Sequence, residues 1–271
     1  MNIIEAVILG FLQGLTEFLP ISSSGHLALA ETLLKLDVSR FLFFDILLHV
    51  ATLLAVCIFF RKRILNLTTA CLGGIGNEPL TPDTESDRQL ILGIVITTIV
   101  TSFIGLGLKE LVLYMRESIE LVGVAFLFTG IIILLTRWYR FQPVSHDKTI
   151  PIPLVTFAII LGIAQGLAVL PGISRSGATI CTAILLGTTR RFAVEYSFIM
   201  SIPVILSATL LELKEAEITI EPGPAAIGFL SAFVSGLFFL WLLVWIVEKS
   251  RLHYFSYYLI PLGLILIVSY L

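Results

Sequence analysis

The stretch that decides the fold runs Gln13-Gly-Leu-Thr-Glu17-Phe-Leu-Pro20-Ile-Ser22-Ser23-Ser24-Gly25-His26. It places an acid, hydroxyls and an imidazole within an otherwise apolar part of the chain. A second copy follows as Gln165-Gly-Leu-Ala-Val-Leu-Pro171-Gly172-Ile-Ser174-Arg175-Ser176-Gly177-Ala-Thr179. Polar segments that are broken by proline and glycine, at matching positions of two halves, are typical of discontinuous membrane helices that meet at a buried site.

The composition places the chain in a membrane. Of its 271 residues 57% are hydrophobic and only 13% are charged, which is more apolar surface than a soluble domain of this size can bury. Cys57, Cys71 and Cys181 are widely spaced and form no CxxC pair, so neither a disulfide framework nor a zinc site is predicted. The chain has no basic tail that would indicate a nucleic-acid partner, and no removable signal peptide is predicted.

The apolar runs predict six transmembrane helices and two re-entrant helical hairpins. Residues 2–19 and 25–35 form one broken pair, and residues 150–167 and 175–188 form the other, because each piece is short of the roughly 20 apolar residues that a span needs. The spans are predicted at residues 41–60, 89–113, 118–136, 192–211, 222–247 and 254–270. The predicted fold is therefore an all-α polytopic membrane protein with a single integral membrane domain over residues 1–271.

The order of these segments predicts an inverted repeat. Residues of about 1–142 and 150–271 each hold one re-entrant pair and three spans, and an odd number of spans inverts the second half relative to the first. Placing Arg61-Lys62-Arg63 in the cytoplasm assigns 11 of the 17 basic residues to cytoplasmic segments and 5 to outer segments, with Arg175 inside the membrane. The positive-inside rule then predicts both termini outside, with one re-entrant pair entering from each face.

Glu17 is the first candidate site residue. Gln13 and Glu17 are four residues apart and share one face of a helix, which must point to protein or water because an ionised carboxylate in lipid costs several kcal/mol. A carboxylate beside a side-chain amide oxygen is also a one-sided ligand set for Mg²⁺ or Ca²⁺. The alternative interpretation is a structural Glu17 that is paired with an arginine.

The serines after Pro20 predict an anion site. Ser22, Ser23, Ser24 and Gly25 precede a helix, where they can cap it and present free backbone N–H groups at the positive end of the helix dipole. His26 follows in the first turn of that helix, and an imidazole beside a serine can act as general base, general acid or nucleophile. The alternative is a run of capping serines with a hydrogen-bonded His26 at the interface.

The second segment predicts phosphate binding more sharply. Arg175 stands at a half-helix N-terminus among Ser174, Ser176 and Thr179, and its guanidinium can donate to phosphate oxygens together with the N–H groups of the turn. The expected ligand is anionic and phosphorylated. Arg175 could instead pair with Glu17 for architecture alone, and the two interpretations are compatible, because an empty site needs that pair to balance its charge.

These two segments resemble the motifs of the undecaprenyl-diphosphate phosphatases, also called bacitracin-resistance proteins. The family's first motif is Glu/Gln-x-x-x-Glu followed by proline, a serine-rich stretch and Gly-His, matched from Gln13 to His26; the second is Pro-Gly-x-Ser-Arg-Ser-x-x-Thr, matched from Pro171 to Thr179. The resemblance covers essentially the whole chain and implies six spans with two re-entrant pairs. It also implies removal of the terminal phosphate of a C55 lipid diphosphate, which regenerates the carrier for cell-wall polymers.

The resemblance also assigns roles to single residues. It makes Glu17, Ser23, His26 and Arg175 the catalytic candidates, and it leaves open whether Ser23 or His26 is the nucleophile. A divalent cation, Mg²⁺ or Ca²⁺, is expected by Glu17 and Gln13, with Glu17 as the main ligand because Gln13 carries no charge. The predicted substrate-binding set is Ser22, Ser24, Gly25, Gly172, Ser174, Ser176 and Thr179. Spacing alone adds Asp45 and His49, an i, i+4 pair near the outer end of the first span that either lines the site or satisfies neighbouring groups and faces water.

The expected partners are a polyprenyl diphosphate and the surrounding membrane lipids, without nucleic acid, and a homodimer is kept open. The resemblance places the protein in the bacterial inner membrane, with its site open to the outer face. The main alternative is a secondary transporter or flippase for an anionic or lipid-phosphate substrate, because inverted repeats with broken helices are typical of alternating access. A purely structural membrane subunit is the third hypothesis, and it leaves two charged segments in hydrocarbon unexplained.

Overall fold

The described part of the chain is built from helices. The computed structural model describes residues 1–34, 38–72, 82–138, 150–214 and 221–270, and these ranges contain no β-strand. The helices before residue 150 are α1 (Ile3–Phe18), α2 (Ser23–Leu34), α3 (Val38–Phe59), α4 (Arg61–Leu72), α5 (Pro82–Gly107), α6 (Lys109–Arg116) and α7 (Ile119–Leu135). Those after it are α8 (Leu154–Leu167), α9 (Arg175–Leu185), α10 (Arg190–Glu212), α11 (Pro222–Glu248), a 3-10 turn (Leu252–Phe255) and α12 (Ser256–Tyr270).

Within the described ranges four helices are long and apolar enough to cross a membrane, and the number rises to six if each of two bent helix pairs is counted as one span. The straight candidates are Glu85–Gly107, Arg190–Glu212, Pro222–Glu248 and Leu252–Tyr270. The other two belong to bent pairs, in which Phe43–Phe59 meets Arg61–Leu72 at 78° and Lys109–Arg116 meets Ile119–Leu135 at 110°. Large apolar side chains on these segments remain exposed, as a lipid-facing surface requires. The prediction of an all-α polytopic membrane protein is confirmed.

One predicted span has a wrong boundary. The apolar run at residues 89–113 predicted a single helix, but α5 ends at Gly107 and the chain turns into the short helix α6 at Lys109. Gly105 and Gly107 both lower helix propensity at this point, and the next turn places the charges of Lys109 and Glu110 where a span would need apolar residues. The chain thus changes direction before α7 through a short helix.

The two broken pairs have the lengths expected of half-helices. α1 has 16 residues and α8 has 14, which at 1.5 Å per residue gives about 24 Å and 21 Å, less than the roughly 30 Å of a bilayer core. Pro20 follows the end of α1, and Pro171 and Gly172 separate α8 from α9. These lengths agree with re-entrant hairpins.

The packing of the broken pairs is reciprocal. α1, in the first predicted half, packs along α11, the middle span of the second half. α8, in the second predicted half, packs along α5, the middle span of the first half. Glycines allow both approaches: a Cβ at Gly10 would clash with the carbonyl oxygen of Gly228, and a Cβ at Gly166 would lie 2.7 Å from Ile104 Cβ. Small residues at such contacts let membrane helices pack closely. The division into inverted repeats at about residues 142 and 150 stays a prediction.

Candidate active site

Glu17 lies at the centre of a buried polar cluster. It occupies the last turn of α1, where its side chain is 4% exposed. Its Oε2 accepts hydrogen bonds from Ser23 Oγ at 2.6 Å and from Gln13 Nε2 at 3.1 Å. The Gln13 contact follows from the i, i+4 spacing, whereas Pro20 and the turn after α1 bring Ser23 back toward Glu17. A carboxylate therefore contacts a serine hydroxyl inside the membrane domain.

Arg175 joins the second broken segment to this cluster. It is the first residue of α9, and its guanidinium forms a direct ion pair with Glu17 Oε1. A buried carboxylate without a partner would be strongly destabilising, so the pair balances the charge that the fold encloses. The Arg175 side chain keeps 24% of its surface exposed. Its remaining N–H groups are therefore available to an anion in the adjoining cavity.

The two breaks touch through glycines. A Cβ at Gly25 would lie 2.7 Å from two ring carbons of Phe126 and 2.9 Å from the Cα of Gly172. A Cβ at Gly177 would lie 3.2 Å from Pro20 Cβ. The two glycines at the first contact are therefore needed for close approach. Gly172 also has φ +92°, a conformation that favours glycine.

The turns themselves are held by serine and threonine hydroxyls. Ser22 has φ +71°, and its Oγ accepts a weak bond from the Gly25 N–H at 3.3 Å. Ser174 caps α9, with its Oγ accepting from the Gly177 N–H at 3.1 Å. A left-handed conformation at a residue other than glycine is strained and occurs often at functional sites.

Thr129 on α7 holds the second turn from outside. Its hydroxyl donates to the Gly172 carbonyl at 3.0 Å and accepts from the Ser174 N–H at 3.2 Å. One buried hydroxyl thus satisfies two backbone groups on either side of Ile173. No sequence pattern marks Thr129, because a threonine in an apolar span is usually bonded within its own helix.

A cavity of about 210 Å³ opens beside the ion pair. It is lined by Thr16, Glu17, Ser22, Ser23, Ser24, His49, Gln165, Ala168, Val169, Ile173, Ser174, Arg175, Val204, Ile205, Ala208, Thr209 and Glu212. The predicted residues in this set come from both broken segments and from the first span. The wall thus joins hydroxyls, one arginine, one imidazole and two carboxylates to apolar residues of α10 and of the turn that follows α8, as a phosphorylated lipid would require.

Several predicted residues lie near the cavity without lining it: Gln13, Gly25, His26, Asp45, Gly172, Ser176 and Thr179. Gly25 and Gly172 form the contact between the breaks. Ser176 Oγ is 3.2 Å from Ser174 Oγ, and the Thr179 hydroxyl donates to the Arg175 carbonyl at 2.8 Å and contacts the Ser197 hydroxyl. Their positions support the turn that presents Arg175.

The two histidines of the predicted site are placed differently. His26 Nδ1 is 2.8 Å from the Ser22 carbonyl oxygen, which can only accept, so Nδ1 carries the proton. Its Nε2 is 2.8 Å from the Tyr258 hydroxyl. Both ring nitrogens of His26 are therefore occupied by the protein. Tyr258 belongs to neither motif, so no sequence pattern marks it as the partner of His26.

His49 faces the cavity. Its Nδ1 donates to the Asp45 carbonyl at 2.9 Å, and its Nε2 lies 3.9 Å from Glu17 Oε2. The side chain is 34% exposed. The imidazole that lines the cavity is thus that of His49 on α3, and not that of His26. Asp45 points elsewhere, with its carboxylate 3.6 Å from the Arg116 guanidinium.

The glutamines that open the two segments are both buried, and each has an Oε1 atom without a hydrogen-bond partner. Gln13 directs its Nε2 to Glu17, and Gln165 directs its Nε2 to Thr101 Oγ1 at 3.2 Å. Gln165 lines the cavity, whereas Gln13 does not. A cation bound by Gln13 would need its amide turned so that oxygen replaces nitrogen beside Glu17.

The residues of the site could hold a divalent cation only together with the substrate. Within the described ranges no cluster of three or more histidine, cysteine, aspartate or glutamate side chains could hold a metal by itself. Glu17 does present a carboxylate at the cavity wall, and Mg²⁺ is commonly bound through one or two carboxylates together with substrate phosphates and water. The residues therefore suit a cation that Glu17 and a bound diphosphate share.

The fold and the site define a class, a polytopic membrane protein with a polar cavity between two broken helical segments, and comparisons with known proteins agree with it. The family model described as "Bacitracin resistance protein BacA" matches residues 6–265, so the chain belongs to this family. The undecaprenyl-diphosphatase of Treponema denticola is 43% identical over 97% of this chain and 96% of its own length. The undecaprenyl-diphosphatases of Korarchaeum cryptofilum and Carboxydothermus hydrogenoformans are 40% and 39% identical, over 97% and 99% of this chain and 98% and 97% of their own lengths. The predicted family is confirmed.

Proposed function

We propose that this chain is an undecaprenyl-diphosphatase, a membrane hydrolase that removes the terminal phosphate of a C55 lipid diphosphate. The family match and the names of its relatives, which are undecaprenyl-diphosphatases matched over nearly their full length, support this activity. The observation that carries the proposal is the cavity in which Ser23 donates to Glu17 while Arg175 pairs with the same carboxylate. A hydroxyl, its base and a cation are thus placed together for phosphoryl transfer.

In the proposed reaction Ser23 is the nucleophile. Its Oγ attacks the terminal phosphorus while its proton passes to Glu17, 2.6 Å away. The bond between that phosphorus and the bridging oxygen breaks, and the lipid leaves as its monophosphate. Water then attacks the phosphoserine, which releases inorganic phosphate and restores the hydroxyl.

Arg175 supplies electrostatic stabilisation. A guanidinium has five N–H donors, so Arg175 can keep its bond to Glu17 while it donates to oxygens of the transferring phosphoryl group. Ser22, Ser24 and Ser174 also line the cavity and add hydroxyl donors around the same space. Phosphoryl transfer depends mainly on such positioning and charge neutralisation.

We assign proton transfer at the cavity to His49 rather than His26. The leaving lipid phosphate and the attacking water both need a group that can donate or accept a proton. His49 presents Nε2 to the cavity, whereas Ser22 and Tyr258 occupy the nitrogens of His26. In this proposal His26 is a positioning residue that fixes the turn carrying Ser23.

A divalent cation, Mg²⁺ or Ca²⁺, belongs to the proposal as a group shared by Glu17 and the substrate. When bound, it would polarise phosphate oxygens and offset their charge. Gln13 would stay a hydrogen-bond donor that orients Glu17. The lipid chain would lie against the apolar residues of α10 and of the turn after α8 that line the cavity.

The proposal also covers the setting of the enzyme. The distribution of basic residues supports a cytoplasmic membrane location with both termini outside. By family resemblance the cavity would open to the outer face, where the lipid diphosphate is left after the carrier delivers its cargo. The working unit would be this chain, and a homodimer is a further arrangement to be tested by mass in detergent.

Phosphate release by purified protein in detergent tests the activity. The wild type should release one phosphate per undecaprenyl diphosphate without any membrane gradient, and Ser23→Ala should lower kcat by at least about 10³-fold. A phosphoenzyme trapped by acid quench should be absent from Ser23→Ala. Phosphate release by the wild type only when a gradient is imposed, or not at all, would favour the carrier.

Paired histidine variants test the assignment of the proton-transfer group. His49→Gln should lower kcat by about 10²-fold and remove one limb of the pH–rate profile, because glutamine cannot titrate. His26→Gln should keep the shape of that profile and lower the unfolding temperature, since it loses the bond from Tyr258. A profile changed by His26→Gln and unchanged by His49→Gln would reverse the assignment.

A further inference from the structure

A second cavity lies where α3, α4, α10 and α11 meet. Its volume is about 450 Å³, larger than that of the candidate active site. It is lined by Phe59, Phe60, Arg61, Lys62, Arg63, Arg191, Val194, Glu195, Val244 and Glu248. Four of these residues are cationic, two are acidic and four are apolar.

The charges in this cavity are not balanced. Arg63 is occupied by Asp87 at 2.6 Å and by Glu195 at 2.8 Å. Arg61, Lys62 and Arg191 then face one remaining lining carboxylate, that of Glu248. Among the described residues none of these three cations forms an ion pair. The cavity therefore has an excess of positive charge.

Two helix N-termini add to that excess. α4 begins at Arg61 and α10 begins at Arg190, and each N-terminus carries a partial positive charge and backbone N–H groups in its first turn, of which the Phe192 N–H of α10 already donates to the Thr189 hydroxyl. The apolar wall formed by Phe59, Phe60 and Val194 lies next to these donors. Positive-inside topology accounts for cations on this side of the protein. It does not account for their lining a cavity with an apolar wall.

This cavity is separate from the candidate active site. On α3, His49 lines the first cavity and Phe59 the second, and ten residues correspond to about 15 Å of helix. On α10, Glu195 lines the second cavity and Val204 the first, about 14 Å apart along the helix. The two cavities thus lie toward opposite ends of the same pair of helices.

We propose that the second cavity binds the anionic phosphate headgroup of a membrane lipid. Arg191, Arg61 and Lys62 would donate to the phosphate oxygens, and the aromatic and aliphatic wall would contact the start of an acyl chain. A headgroup with net negative charge is required, because a zwitterionic one would bring its own cation close to Arg191. The inference is independent of the proposed phosphatase reaction.

Native mass spectrometry of the detergent-purified full chain tests this site with phosphatidylglycerol and phosphatidylcholine as probes. Phosphatidylglycerol should bind the wild type at least tenfold more tightly than phosphatidylcholine. Arg191→Gln should weaken phosphatidylglycerol binding by about tenfold, because one charge-assisted contact is lost. Arg190→Gln is the matched control, because Arg190 is the adjacent cation and does not line the cavity, and this variant should change binding less than twofold.

A variant that is expected to tighten lipid binding, rather than weaken it, adds a second test. Glu248→Gln removes the opposing carboxylate and should tighten phosphatidylglycerol binding. Phosphate release from undecaprenyl diphosphate should stay at the wild-type rate in all three variants, which also shows that they are folded. Equal binding of the two lipids, equal effects of Arg190→Gln and Arg191→Gln, or displacement of phosphatidylglycerol by millimolar inorganic phosphate would each overturn the proposal.

Discussion

The first broken segment brings a carboxylate to the cavity, whereas the second brings a guanidinium. Both begin with a buried glutamine, and the helix of both is interrupted at a Leu-Pro pair. Both also contain a residue with positive φ, which is Ser22 in the first segment and Gly172 in the second. The backbone plan is thus shared while the charges are opposite. Glu17 and Arg175 could not have the same sign, because a buried pair of like charges would be uncompensated.

The two segments are also held by different supports. Thr129 on α7 bonds the second turn through its backbone, and Tyr258 on α12 bonds the first through His26. α7 and α12 are the last spans of the two predicted halves and pack against each other. The last span of each predicted half therefore bonds one of the two breaks. In the proposed reaction the first segment would supply the reacting hydroxyl and its base, and the second would supply charge neutralisation.

The largest expected effect comes from removing the charge that either segment contributes to the cavity. Glu17→Gln and Arg175→Gln should each lower kcat/KM for undecaprenyl diphosphate by at least about 10³-fold. Glu17→Gln removes the base, and Arg175→Gln removes the positive charge that neutralises the phosphoryl oxygens. The exchange Glu17→Arg with Arg175→Glu should recover thermal stability relative to the single variants, yet stay inactive because Ser23 loses its base. Full activity in the exchanged protein would mean that the segments are interchangeable.

Metal removal tests whether only the acidic segment binds a cation. Chelation should lower phosphate release by about 10²-fold, and added Mg²⁺ or Ca²⁺ should restore it, because substrate phosphates would lose their shared ligand. Gln13→Glu should lower the cation concentration that gives half-maximal rate. Gln165→Glu, the equivalent change in the second segment, should not. Full activity of the chelated enzyme would remove the cation from the proposal.

The contact between the breaks should be sensitive to a single methyl group. Gly25→Ala places a Cβ 2.9 Å from the Gly172 Cα of the second break and 2.7 Å from Phe126 of α7, and it should lower the free energy of unfolding by about 1–3 kcal/mol. Gly223→Ala is the control, because no atom lies within 4 Å of its added Cβ. Unfolding temperature in detergent is the measurement. Equal stability of the two variants would show that the hairpins do not touch here.

The smallest effect is expected at the support of the second turn. Thr129→Val leaves the Gly172 carbonyl and the Ser174 N–H without their partner, so phosphate release should fall roughly threefold to tenfold for about 1 kcal/mol of lost positioning. Thr98→Val is the control, since its hydroxyl bonds only the Ile94 carbonyl of its own helix. A larger loss in Thr98→Val would contradict the role of Thr129.

The helical class and the cluster around Glu17 were predictable because local rules govern them. Apolar run length fixes where a span can lie, and i, i+4 spacing places Gln13 beside Glu17. The pairing of Glu17 with Arg175 was also an open alternative, since two opposite charges in hydrocarbon need each other. The end of α5 at Gly107 was missed, because an apolar run shows neither a bend nor a short amphipathic helix.

The choice between the two histidines lay beyond the sequence. His26 stands next to the serines in the chain, and proximity in sequence favoured it over His49. The fold turns His26 toward Ser22 and Tyr258 and brings α3 against the first break, so that His49 meets the cavity instead. Glu212 and Thr209 line the same cavity from α10 without any motif to mark them.

The sequence by itself determined that this chain is a helical membrane protein whose polar chemistry is concentrated in two broken segments, because hydrocarbon tolerates charge only where it is paired or functional. Only the tertiary structure decided which groups share the cavity. That outcome depends on close approaches at Gly25 and Gly172 and on bonds from α7 and α12, which join residues more than 40 positions apart. Packing between distant helices leaves no local pattern in the chain.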